Sequence, residues 1–156
     1  MARAGFTAIH AGRIRFGRDG QWYCDDERIP NAAICRLYAR AMTVGDDGVA
    51  RLELGEDRAQ VEIEDTPWVV TTIDDAPDGG IRLHLNDETE EPLDAGTLRV
   101  GPDNVLYARV KDGRVEARFL RKAYYALMRR AEPGAADGDA VLRVGTRRVP
   151  LRAPGA

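Results

Sequence analysis

The sequence is poor in the residues that most often carry chemistry. It holds only two cysteines, Cys24 and Cys35, and two histidines, His10 and His84. Two cysteines are too few for a disulfide framework, which points to a reducing, cytoplasmic setting and casts both thiols as small core residues. Neither histidine has further donors at ligand spacing, so no metal site is expected. There is no phosphate-binding loop, no Gly-x-Ser-x-Gly elbow and no dinucleotide fingerprint; Gly79-Gly80 and similar pairs read as turns. Nothing indicates a cofactor or a catalytic residue, and an enzyme ranks behind a binding protein. Long apolar runs are missing too. None approaches the roughly 20 residues that span a bilayer, and the opening MARAGFTAIHAG lacks the apolar core and cleavage site of a secretory leader. No membrane partner is expected. A basic excess is also absent: the net charge of −3 argues against bulk nucleic-acid binding.

What remains is a globular composition, 44% hydrophobic and 31% charged over 156 residues, enough for one ordinary domain or two very small ones. Residues 1–12 show no periodicity and read as a loose tail. Asp19-Gly20, between 14–16 and 21–25, is a hairpin signal. Asn31 is placed to cap a helix in which Ile34, Leu37, Tyr38 and Ala41 form one stripe. Residues 49–54 and 59–63 follow as strands. Further strands are predicted over 68–73, 81–85, 98–100, 105–110 and 115–119, with 86–96 an acidic loop. A second helix is predicted over 120–132, with Leu120, Tyr124, Leu127, Met128 and Ala131 on one stripe and Pro133-Gly134 ending it. Strands 140–144 and 147–151 close the chain.

Two stretches echo each other. DGVARLELGE starts at Asp47 and DGDAVLRVGT at Asp137, an offset of 90 residues, and the two helical stripes lie at the same offset. The order of hairpin, helix, turn and strand pair agrees in both halves. An internal duplication follows: α+β architecture, two small units of antiparallel sheet plus helix, spanning 13–64 and 65–156. Units of this size bury a core poorly alone, so the halves are expected to dock.

Charge is unevenly spread. Acids crowd 74–94, while 109–130 carries eight basic residues against Asp112 and Glu116; two solvated faces of opposite sign are the simplest reading. Within the hairpin 107–118, a two-residue turn at Asp112-Gly113 sets Arg109 opposite Glu116 and Tyr107 opposite Arg118. Val110, Ala108, Val115 and Ala117 then share the core face. Tyr107, Arg109, Glu116 and Arg118 share the other. Arg109 is expected to pair with Glu116; Arg118, without an obvious cross-strand partner, is a candidate for an anion. Trp22, Trp68, Tyr124 and Tyr125 are candidate stacking surfaces, with Tyr124 assigned to the core and Tyr125 to the stripe's edge.

The segments RDGQWYCDDERIPNAAICRLYARAM, VEIEDTPWVV and YARVKDGRVEARFLRKAYYALMRRAE together resemble a bacterial family known as domain of unknown function 1285. The resemblance implies a duplicated α+β core whose C-terminal half is superficially like a pleckstrin-homology sheet and helix. It also implies a cleft between the halves for a nucleotide-like ligand in signalling. Carried onto this chain, the candidate ligand-binding residues are Asp65, Arg118, Tyr124 and Tyr125, with Trp22 and Arg109 added. Leu120 departs from the pattern, standing where a hydroxyl residue is expected to cap the second helix. The expected function is therefore a non-enzymatic module for an anionic, nucleotide-like molecule. The alternative is a protein-interaction domain using a sheet edge or a basic helix face.

Overall fold

The computed structural model describes residues 12–135 and 139–151, and the chain divides into two compact units, Met1–Pro67 and Trp68–Ala156. His10, most of the expected tail and Asp137 of the second echoing stretch lie outside the described residues. No helix among the described residues is long and apolar enough to cross a membrane.

In the first unit, Gly20 takes a positive φ of 79° and closes the hairpin of β1 (Ile14–Phe16) and β2 (Trp22–Cys24). A second tight turn follows at once. Asp25 and Asp26, at φ 49° and 66°, join β2 to β3 (Glu27–Arg28) as a two-residue loop, a turn the sequence hides because aspartates stand where glycine usually does. Asn31 caps α1 (Ala32–Ala41), its Oδ1 accepting from the Ala33 and Ile34 amides at 2.9 and 3.2 Å. The helix then runs into β4 (Met42–Val44), β5 (Ala50–Leu54) and β6 (Asp57–Ile63). Its buried side is Tyr38 and Ala39, with Ile34 and Cys35 half-buried, whereas Leu37 is 38% exposed. The true stripe is thus turned by roughly 80° from the expected one. Tyr38 sets this rotation because its ring meets Trp22 edge-on at 5.5 Å, and Trp22 in turn leans on Phe16 at 4.9 Å.

The second unit contains β7 (Trp68–Asp75), β8 (Ile81–Leu85), β9 (Glu90–Pro92), β10 (Arg99–Val100), β11 (Leu106–Val110) and β12 (Val115–Phe119). It ends with α2 (Arg121–Met128), β13 (Ala131–Pro133), β14 (Ala140–Val144) and β15 (Arg147–Leu151). Two expectations change here. The acidic stretch 86–96 includes a strand and a short 3-10 turn, Ala95–Thr97. The second helix stops at Met128, because the chain turns into β13, which pairs with β14.

The two six-stranded sheets have one topology. Their orders are β3-β2-β1-β6-β5-β4 and β9-β8-β7-β12-β11-β10. Each is two three-stranded meanders joined by a central parallel pair, Ile14↔Val61 through Phe16↔Ile63 in one and Trp68↔Ala117 through Val70↔Phe119 in the other. The sheets are therefore mixed, not wholly antiparallel, and this shared connectivity is the duplication. The 90-residue echo is real but smaller. It matches the order helix-plus-meander with helix-plus-meander along the sequence, β5 starting at Ala50 and β14 at Ala140. In the first unit that meander belongs to the six-stranded sheet; β13-β14-β15 form a sheet of their own.

The core of the second unit gathers Val70, Leu83, Leu85, Leu106, Ala108, Val110, Ala117 and Phe119 from the sheet with Ala123 and Leu127 from α2. A bulge between Val70 and Thr72 lets both Val70 and Ile73 face that core.

Candidate functional site

The hairpin β11–β12 has the register that its turn dictates. Asp112 and Gly113 sit at φ 58° and 76°, a type I′ turn, and Arg109 lies opposite Glu116 with Tyr107 opposite Arg118. The outward charges are paired differently, however. Glu116 is taken by Arg99 of β10 in a two-pronged bridge at 2.6 and 2.8 Å, with the Arg99 guanidinium 4.2 Å above the Tyr107 ring. Arg109 instead donates to the Gly113 carbonyl at 3.0 Å and stays exposed. Arg118 is half-buried and is not without a partner, so the expectation of an idle cation is corrected. A third strand, β10, supplied a competitor that a two-strand reading omits.

The helix α2 packs on the opposite face of this sheet. Its Ala123 and Leu127 meet Ala117 and Phe119, whose side chains alternate with those of Glu116 and Arg118. Tyr124 is half-buried against that core, and Tyr125 is 55% exposed, its ring 5.4 Å from that of Tyr124 at 77°. Arg109 and Arg118 are thus separated by the sheet from Tyr124 and Tyr125 and cannot join them around one small molecule. Leu120 gives the helix no side-chain cap; its backbone amide donates to the Val70 carbonyl at 2.9 Å.

Around Tyr125 the outer side of α2 is basic. Arg121, Lys122 and Arg129 are exposed, and among the described residues no ion pair holds any of the three. They fall four and three residues before Tyr125 and four after it, on one helix face. Arg130 behaves otherwise, bound to Asp75 at 3.1 Å and to the Ala126 carbonyl.

Of the remaining candidates, Trp22 is 1% exposed inside the first unit. A ring enclosed by Phe16 and Tyr38 is a core element and offers no open face for stacking. Asp65 is exposed in the connection that follows β6, beside the buried Thr66, and is engaged by a neighbour.

The sequence reading missed a buried ionic cluster. Asp87, assigned to a solvated loop, is 5% exposed. Its carboxylate receives the Lys111 ammonium and accepts the Thr89 amide and hydroxyl at 3.0 and 2.5 Å. The ammonium also lies 4.8 Å from the Trp68 ring centre, and the Lys111 amide donates to the Glu91 carboxylate. Lys111 adopts a positive φ of 55° to do this. Burial pushes the Asp87 carboxyl up, but the Lys111 and Thr89 hydrogen bonds together hold it below the usual carboxylate range. Only the Asp-x-Thr turn pattern at 87–89 hinted at this locally. His84 is likewise not isolated: its ring nitrogens meet Asp74 at 2.8 Å and Glu90 at 3.1 Å. The acidic and basic segments therefore cross-link in part, through Lys111 with Asp87 and Arg130 with Asp75, while Arg121, Lys122 and Arg129 keep a solvated basic face.

Catalytic donors are sparse in this geometry. No group of three or more metal-capable side chains exists among the described residues. Both cysteines are free thiols pushed up by burial, away from the nucleophilic thiolate. The sequence contains no serine.

The class defined by these features is an α+β protein of two mixed six-stranded sheets, each with one helix in its unit. No family model matches the chain, and no curated protein matches it. Among solved structures, the crystal structure of a DUF1285 family protein from Silicibacter pomeroyi DSS-3 matches with a TM-score of 0.69 at 20% identity, over 92% of this chain and 81% of that one. A DUF1285 family protein from Shewanella baltica OS155 matches with a TM-score of 0.60 at 19% identity, over 76% of this chain and 92% of the other. The chain has the fold of these DUF1285 proteins, as the sequence motifs implied.

Proposed function

We propose that the protein is a non-catalytic binding module that takes an anionic partner on the outer face of α2. The observation that carries this reading is Tyr125, 55% exposed between Arg121, Lys122 and Arg129. Three other cations of the second unit are held in ion pairs, Lys111 with Asp87, Arg99 with Glu116 and Arg130 with Asp75. The run from Ala117 to Ala131 contains no acid, so its field is not cancelled locally. An exposed aromatic flanked by cations combines apolar contact with charge steering, the two terms that make a surface adhesive toward an anion.

Fluorescence anisotropy with labelled polyglutamate tests this. The native chain is expected to bind at low ionic strength and to release as salt screens the contacts, since exposed charges lose most of their reach beyond about 8 Å at physiological salt. Arg121→Glu with Arg129→Glu should abolish binding, and Arg109→Ala, on the other side of the sheet, should leave it unchanged. Equal binding by the charge-reversed variant would end this reading. A thermal shift by nucleotides that disappears in Arg118→Ala but survives the charge reversal would instead favour the nucleotide-like ligand.

A further inference from the structure

Resting on that reading of α2, we infer that its partner is an acidic helical segment of another protein. The spacing of the cations decides this. With a rise of 1.5 Å per residue, Arg121 and Arg129 lie about 12 Å apart along the axis, with Tyr125 midway. A compact anion such as a single phosphate group reaches one end of this stripe and leaves the other bare. A segment lying along α2 with carboxylates two turns apart, and an apolar side chain between them, meets both ends and covers Tyr125. An α-helix supplies that spacing directly, because residues seven or eight apart lie about 10–12 Å along its axis and within a quarter turn of one another.

The stripe is one helix wide, and Asp75, an exposed acid, lies beside its C-terminal end through Arg130. A broad polyanion such as a nucleic-acid duplex or an anionic bilayer extends past the stripe to the Asp75 carboxylate and into the field of a chain whose net charge is −3, and both oppose it. A narrow acidic helix avoids that carboxylate. Charge complementarity therefore selects a protein partner over the two extended polyanions.

Photo-crosslinking from residue 125 tests the assignment. The full chain with benzoylphenylalanine replacing Tyr125 is irradiated in cells, and the attached material is mapped to its sequence. The expected product is a protein segment with Asp or Glu on both sides of the crosslinked residue. Its yield should fall about tenfold or more in Arg121→Glu with Arg129→Glu, and recover when the flanking acids of the partner are changed to lysine. Circular dichroism confirms that the variant remains folded. Attachment to RNA or lipid, to a segment without flanking acids, or to nothing above the level of a control at Leu37 overturns the inference. If polyglutamate binding persists in that case, only the partner class falls; if polyglutamate also fails to bind, the role of α2 falls with it.

Discussion

Replacing Lys111 by methionine is expected to destabilise the second unit by about 3 kcal/mol, because it strands a buried carboxylate. Asp87 would keep its two Thr89 hydrogen bonds but lose the Lys111 ammonium, from a position 5% exposed. For a chain of this length, that corresponds to a melting temperature lower by about 6–12 °C. Adding Asp87→Asn should recover part of the loss, since the double variant no longer buries an uncompensated charge. The same pair sets a pH dependence. The folded-state carboxyl of Asp87 lies below its ordinary value of 3.8, so its contribution is complete above that value and disappears as pH falls through the lowered one. Wild type should therefore lose stability in acid more steeply than the Asp87→Asn, Lys111→Met double variant. An unchanged melting temperature in Lys111→Met would mean that the ammonium contributes nothing there.

Trp22→Ala should cost about 3–5 kcal/mol, the range for deleting a large buried ring. Trp22 fills the space between Phe16 and Tyr38, so the loss should show as earlier denaturant unfolding of the first unit, with disturbed near-ultraviolet circular dichroism. Trp22→Phe should cost distinctly less, because it keeps an aromatic ring against Phe16. A ligand-stacking tryptophan would behave differently, leaving stability intact while weakening binding. Normal stability in Trp22→Ala would return this residue to the candidate site.

Much of the local structure was legible because turn chemistry and alternation are local. Asp112-Gly113 fixes the β11–β12 register, and the alternation of Ile81, Leu83 and Leu85 with Arg82 and His84 matches their burial. Strands Ala140–Val144 and Arg147–Leu151 fall where residue type places them. The parallel pairs β1–β6 and β7–β12 were not legible. They join segments about 50 residues apart, and nothing in either strand names its partner. The face of α1 was misjudged because Leu37 is more apolar than Cys35 or Ala39, yet Tyr38 and its contact with Trp22 fix the rotation. Asp87 looked like one more acid in an acidic run, since its partner Lys111 is 24 residues away.

The candidate site divides in the same way. Alternation correctly placed Tyr107, Arg109, Glu116 and Arg118 on one side of the hairpin. It also held the information that Arg118 and Tyr125 are apart, because a helix following Phe119 packs on the face Phe119 shares with Ala117. Combining them treated proximity in sequence as proximity in space. The Arg99–Glu116 bridge needed a third strand and a side chain 17 residues away. The basic face of α2, by contrast, is written in the order Arg-Lys-Ala-Tyr-Tyr-Ala-Leu-Met-Arg-Arg, with Ala123 and Leu127 marking the inward side.

The most direct check is an amide nuclear magnetic resonance titration of the folded chain with polyglutamate. Shifts should concentrate on residues 121–129, strongest near Tyr125, while the amides of β11 and β12 around Arg109 and Arg118 stay still. Shifts centred on Arg109 and Arg118 with a silent α2 would place the anion on the wrong side of the sheet and refute the assignment of this helix as the contact surface.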